Sequence, residues 1–214
     1  IEANKVIYGE AHYFRAMIYM NLVTRWGGVP ILRVNTSDRV ARDTVEDCWD
    51  FINEELQLAI DNLETSTDMY MVSKEAAQAL AARAYLYQGN MMKAAELAEG
   101  LITSGKYALE KDFSKIFGYE RKANSETIFA FRMDDTETSV KLGSQYFTYD
   151  YVNKGSGRYF PTQTIINLFG ANDTRLPVSV VTVGTDKCMG KYPGGQAYSD
   201  PIIISRIGEI YLIS

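Results

Sequence analysis

The stretch "YLYQGNMMKAAELAEGLITSGKYAL", Tyr85 to Leu109, is an alanine-rich helical pair folded around a Gly-Asn turn. Upstream, Ser73 suits an N-cap, and Ala76, Ala77, Leu80, Ala84 and Tyr85 follow at helical spacing. The chain turns at Gly89-Asn90 and resumes through Ala94, Ala95, Ala98, Leu101 and Ile102, ending at Ser104-Gly105. This spacing predicts antiparallel helices over 73–88 and 91–104. The unit is close to the tetratricopeptide length of about 34 residues. Ala82, Tyr85, Gly89, Ala94 and Ala98 fill the small, aromatic, turn, small and small places of that pattern. Small side chains let two helices approach closely, so the spacing has a packing cause. The expected fold is mainly α, with one clear helical repeat, long loops and a few short strands.

Two earlier segments also read as helices. In "KVIYGEAHYFRAMIYMNLVTRWGGVPIL", Val6, Ala11, Phe14, Ile18, Leu22 and Val23 approximate one apolar face, and Gly27-Gly28 before Pro30 stops the helix. In "RDTVEDCWDFINEELQLAIDNLE", Thr44 and Asp47 predict a capping box. Val45, Cys48, Ile52, Leu56, Ala59 and Leu63 then recur at helical spacing opposite an acidic face.

After Leu109 the texture changes. "SETIFAFRM" alternates weakly and predicts a short strand, "PTQTIINLFG" a short helix beginning at Pro161, and "LPVSVVTVG" another strand. "DDTETSVKLGSQYFTYDYVNKGSGRYF" and "KCMGKYPGGQAYSDP" read as loops. The expected organisation is a single domain over 1–214, with a helical scaffold at 1–109 and a loop-rich portion at 110–214.

Composition narrows the function. A net charge of -5 provides no overall footprint for nucleic acid, which needs a basic face. The chain carries 15 Tyr, most of them outside the best helices, and tyrosine joins a flat apolar face to a polar tip. In "QYFTYDYVNKGSGRYF", Tyr146, Tyr149, Tyr151 and Tyr159 lie near Asp150, Asn153 and Arg158. That set suits a sugar, whose C–H face stacks on an aromatic ring and whose hydroxyls need polar partners. The alternative for each ring is an anchor that packs the loop.

Catalytic chemistry finds little footing. His12 is the only histidine and lies inside a helix, where it reads as a partly buried residue with a satisfied ring. Cys48 reads as a small core residue and Cys188 as part of a Gly-rich loop; no Cys/His cluster supports a metal, and no motif calls for a cofactor. Asp134, Asp135 and Glu137 read as a solvated loop before a calcium site. Trp26 reads as packing at a helix end, and Asp173 with Arg175 as an ion pair or turn.

The chain has no initiator Met, no secretory signal and no membrane-spanning stretch. The apolar "EIYLIS" end predicts Ile210, Leu212 and Ile213 unsupported at the surface, or covered by a neighbouring molecule. The expectation is an internal segment of something longer.

"GEAHYFRAMIYMNLVTRWGGVPIL", "TVEDCWDFINEELQLAIDNL" and "SKEAAQALAARAYLYQGNMMKAAELAEGLITSGKYAL" together resemble the SusD/RagB family of outer-membrane nutrient-binding lipoproteins. "NSETIFAFRM", "NDTRLP", Lys191-Tyr192 and "SRIGEIYLI" follow in the family's order, the last departing from the usual R-Y-A-E form at Ile207-Gly208. The resemblance implies a right-handed superhelical tetratricopeptide scaffold whose loops build the ligand surface. It implies a non-enzymatic protein at the cell surface, held to the outer membrane by a lipid anchor outside this sequence. It further implies capture of a glycan, or of peptide, and its delivery to a SusC-like TonB-dependent transporter. Two other readings stay open: a tetratricopeptide-type protein-interaction module, and a fragment of a glycan-active enzyme.

Overall fold

The computed structural model describes residues 2–118, 124–133 and 141–214. The chain forms two compact units, Ile1–Ala108 with Ser205–Ser214, and Leu109–Ile204. The fold is mainly α, with short strands confined to two-stranded pairings among the described residues.

The first unit is helical: α1 (Glu2–Trp26), α2 (Val45–Asn62), α3 (Lys74–Tyr87) and α4 (Met91–Thr103) pack in sequence order. The caps predicted at Thr44 and Ser73 are present, and Asn90 of the turn caps α4. The Thr44 hydroxyl accepts from the Asp47 N–H at 3.0 Å, while the Asp47 carboxylate accepts from the Thr44 N–H at 3.2 Å. Ser73 accepts from the Ala76 N–H, and Asn90 from the Lys93 N–H, each at 3.2 Å. Between α3 and α4 stands Gly89 at φ +76°, a left-handed conformation that costs other residues more.

α3 is covered on nearly every side. Ala76, Ala77, Ala79, Leu80, Ala81, Ala82 and Ala84 are all buried, so burial is not confined to one face, and the acidic Glu75 is buried with them. Ala94, Ala98 and Leu101 of α4 are buried as well.

α1 differs from expectation. Its buried face is His12, Tyr13, Ala16, Tyr19, Met20 and Val23, whereas Ala11 and Ile18 are exposed and Phe14 and Leu22 half-buried. The sequence carries apolar residues on both sides of this helix, and periodicity cannot choose between them. The buried side carries tyrosines and a histidine, which hydropathy undervalues. The hydroxyl of Tyr19, for example, donates to the Pro30 carbonyl at 3.2 Å and accepts from the Leu32 N–H at 2.8 Å. Trp26 also departs from expectation: it is 58% exposed at the helix end, and its carbonyl accepts from Arg42.

α1 is held to α2 by a buried carboxylate. Glu55, 1% exposed, accepts from Arg15 Nε at 2.6 Å and Nη2 at 2.7 Å, and its Oε2 lies 2.6 Å from His12 Nδ1. The ring of Tyr8 meets His12 edge-on at 4.2 Å. The histidine is thus the satisfied helix residue that the sequence suggested.

The last helix, α8 (Ile207–Ile213), follows strand residues and packs on α4 and α3. Its expected exposure is corrected. Ile207, Ile210 and Ile213 are buried within the chain, and only Leu212, at 89%, stands out with half-exposed Tyr211. Arg83 of α3 donates from Nε to Glu209 at 2.6 Å.

In the second unit, β1 (Thr127–Phe131) pairs with β4 (Ile202–Arg206), and β2 (Val180–Val183) with β3 (Asp186–Met189). Thr127 to Ala130 are buried in unbroken sequence, so β1 is covered on both faces instead of alternating. β2 and β3 form an antiparallel hairpin, with Val180 opposite Met189 and Val183 opposite Asp186. Cys188 therefore sits on a strand, fully buried, and not in a glycine loop. Short helices α5 (Leu142–Tyr146), α6 (Gln163–Ile166) and α7 (Leu176–Ser179) interrupt the loops.

Replacing Glu55 with Ala leaves Arg15 and His12 facing an empty buried site, so unfolding free energy should fall by about 3–5 kcal/mol. Urea denaturation of the Glu55→Ala chain measures it; a loss below about 1 kcal/mol would show that the cluster does not hold α1.

Candidate ligand surface

The tyrosine loop of the second unit is built on a backbone frame. After α5, the chain doubles back so that the N–H groups of Ser156, Gly157, Arg158 and Tyr159 donate to the carbonyls of Ser144, Phe147, Gln145 and Gln145. The close approach depends on missing side chains. A Cβ on Gly143 would lie 2.4 Å from the Tyr192 carbonyl oxygen, and one on Gly155 1.9 Å from that of Phe147. Beneath the loop, the buried Phe147 ring stacks on Tyr151 at 3.8 Å and 15°.

Two of the expected site residues are tied into this frame. The Tyr151 hydroxyl donates to the Pro193 carbonyl at 3.1 Å, and Asn153 Nδ2 donates to the same oxygen at 2.9 Å. The Asn153 carbonyl in turn accepts from the Gln196 N–H at 2.8 Å, and Lys141 Nζ donates to the Gln196 carbonyl at 2.8 Å. Burial, followed by the nearby Asp200 and Cys188, pushes the Tyr151 hydroxyl above its ordinary pKa, so it stays a donor.

The other expected residues face outward. Tyr149 is 70% exposed and Tyr159 58%, while Asp150 and Arg158 are exposed. Tyr146 is half-buried and lies 6.3 Å, centroid to centroid, from Tyr159. On its other side it stacks with Tyr192 at 5.7 Å and 25°. The structure therefore brings Tyr146, Tyr159 and Tyr192 into one aromatic cluster. Sequence reasoning missed Tyr192 because it is distant in the chain; its only signal was the Lys191-Tyr192 motif. Lys154 was also missed. Its ammonium lies 4.6 Å from the centroid of the Tyr149 ring.

Elsewhere, Asp173 and Arg175 form the expected ion pair, Nη2 to Oδ2 at 2.6 Å, and this holds the Asp173 carboxyl at about 2. Asp134, Asp135 and Glu137 lie outside the described residues, and among the described residues no group of three or more His, Cys, Asp or Glu side chains could hold a metal. No described helix is long and apolar enough to cross a membrane. In the first unit, a groove of about 200 Å³ runs beside α2, α3 and α4, lined by Asn53, Leu56, Tyr85, Lys93 and Leu97.

With this geometry in view, residues 2–86 match a SusD-like family model described as "Starch-binding associating with outer membrane". SusD-like protein P2 of Formosa agariphila is 28% identical over 93% of the chain and 44% of its own length. The crystal structure of a SusD superfamily protein from Bacteroides vulgatus superposes with a TM-score of 0.83 at 25% identity, over 99% of this chain and 53% of that one. The chain is similar to SusD-like proteins along nearly all of its length. A third similar protein, surface glycan-binding protein A from Bacteroides uniformis, has a TM-score of 0.85 at 19% identity, over 99% of this chain and 54% of that one. The chain spans about half the length of the relatives that it matches. The shared fold is the tetratricopeptide-like helical one expected from the Tyr85–Leu109 repeat.

Because the hydroxyl of Tyr151 holds the frame of this loop, Tyr151→Phe should cost about 1 kcal/mol of local stability while preserving the ring stack. Hydrogen exchange at the Gln196 amide reads this directly. Equal protection in the two proteins would show that Asn153 alone secures the Pro193 carbonyl.

Proposed function

We propose that the chain captures a glycan at the outer-membrane surface without turning it over, and passes it to a SusC-like TonB-dependent transporter. The observation that carries this reading is the pair of outward aromatic rings, Tyr149 and Tyr159, on a frame fixed by backbone hydrogen bonds. A rigid platform loses little freedom when a sugar stacks on it, whereas a floppy one would lose what the contact gains. Asp150 and Arg158 are exposed beside these rings and supply polar partners for hydroxyls. The cell-surface and glycan elements are supported by the family description and by the glycan-binding relative in Bacteroides uniformis. The binder reading is supported by the histidine: His12 is committed to Glu55 and is 6% exposed, so it is not placed to act as a base.

The ligand contacts are proposed as Tyr149, Asp150, Arg158 and Tyr159 directly, with Tyr146 bracing Tyr159. Tyr151 and Asn153, named with them from the sequence, are assigned to the frame that positions the others. A second reading, a protein-interaction module of the tetratricopeptide type, is favoured by the groove beside α2, α3 and α4. Peptide in place of glycan is the variant of the first reading within the same family.

Calorimetry against a panel of neutral oligosaccharides should give Kd values of about micromolar to millimolar, since exposed stacking is weak. Tyr149→Ala and Tyr159→Ala should each weaken binding without loss of helicity, and long incubation should release no smaller sugar. Product release would make the chain an enzyme. Binding of peptides alone, abolished by Tyr85→Ala but not by the loop variants, would move the function to the groove.

A further inference from the structure

Lys154 is the only non-glycine residue at positive φ among the described residues, at +59°. That conformation suits glycine or asparagine and disfavours a long side chain. The backbone leaves the position little choice. The Lys154 N–H donates to the Tyr151 carbonyl at 2.8 Å, its carbonyl accepts from the Gln196 N–H at 3.2 Å, and a Cβ on Gly195 would lie 2.4 Å from the same oxygen. A glycine would sit there at lower cost. The lysine instead projects its ammonium over Tyr149, the most exposed ring of the loop.

That contact does not satisfy the ammonium. An aromatic face attracts the charge but provides no oxygen acceptor, and at an exposed site the attraction is modest. The donors therefore remain available to an oxygen-rich group beside the ring. The surrounding charge points the same way. Between Lys141 and Phe160 stand three cations, Lys141, Lys154 and Arg158, against one acid, Asp150, in a chain of net charge -5. Lys141 is engaged with the Gln196 carbonyl, so Lys154 and the exposed Arg158 are the two that face solvent in this loop.

We infer that the sugar taken by this loop is anionic: its ring lies on Tyr149, and its carboxylate or sulfate is met by Lys154, with Arg158 adding to the local field. The inference rests on the glycan-binding reading of the same loop and adds the charge class of the ligand. Lys154 is a specificity-determining residue in this scheme. Tyr149 supplies stacking that any pyranose can use, and the ammonium separates acidic from neutral rings.

The experiment is calorimetry on the full chain with three probes: an oligogalacturonate, a sulfated galactan oligomer and an unsubstituted galactan oligomer, each at low and high salt. At low salt at least one acidic probe should bind about tenfold more tightly than the neutral one, and high salt should erase most of that margin by screening. The two acidic arms separate carboxylate from sulfate. Lys154→Gly and Lys154→Asn both accept the left-handed backbone, so they retain the loop and should lose the preference for acid. Folding is verified by circular dichroism, and retention of the frame by exchange at the Gln196 amide. If the neutral oligomer binds as well as both acidic ones, the inference is overturned and the glycan reading stands. A preference that survives both Lys154 variants overturns the role of this residue. If none of the three binds while a member of the neutral panel does, this inference is overturned and the glycan reading stands; if no sugar of either set binds, both fail.

Discussion

The helical unit depends on α3 being narrow. A helix that is covered by α2 on one side and by α4 and α8 on others cannot carry large side chains all round without forcing its neighbours apart. Seven of its eight buried positions are six alanines and one leucine, which meet that constraint; the eighth is Glu75. The cost is a small apolar surface per residue, and the bulk is supplied from outside: Phe51 and Leu56 of α2, Leu101 of α4, and Ile207 and Ile210 of α8 are all nearly or fully buried. Two charged residues of α3 find partners at the margin: Arg83 pairs with Glu209 of α8, and Glu75 with Lys106. Small residues on the central helix and large ones on its neighbours are two sides of one packing solution.

The second unit reaches order by another route. Its described helices are single turns or little more, too short to hold themselves together. Order comes from backbone groups of distant segments meeting directly, as Ser156 to Tyr159 meet Ser144 to Phe147. This is why glycines occupy the close approaches and why polar side chains are spent on carbonyls. A loop organised in this way can leave large rings in solvent, because the rings are not what holds it.

The contrast explains what could be read from the sequence. α2, α3 and α4 were legible to within a residue or two because caps and periodicity are local signals: Thr44 with Asp47, Ser73, and Gly89-Asn90 each act within one turn. The buried face of α1 was not legible, since apolar residues lie on both sides and the hidden tyrosines look polar in isolation. The burial of Ile210 and Ile213 was missed because their cover, α3 and α4, lies a hundred residues away in the chain. In the loop, the aromatic composition marked the residues that share one backbone frame. It could not distinguish Tyr149, which faces water, from Tyr151, which does not, because that difference is set by a carbonyl at Pro193. β2 was read as a strand within "LPVSVVTVG", but Tyr192 and the pairing of β2 with β3 escaped for the same reason, as products of pairing rather than of local pattern.

The oxygen of Pro193 has a further consequence. A carbonyl offers two lone pairs, and here the hydroxyl of Tyr151 and the amide of Asn153 take them both. The acceptor is saturated, so if the 191–196 segment slipped by one residue, two donors would lose their partner together. Such a joint behaves as a keyed fitting: it admits one register and resists intermediate ones. The outward positions at 149, 150, 158 and 159 play no part in it through their side chains. They are therefore free to vary independently of the seat, and one loop frame could carry different ligand chemistries while its geometry stays fixed.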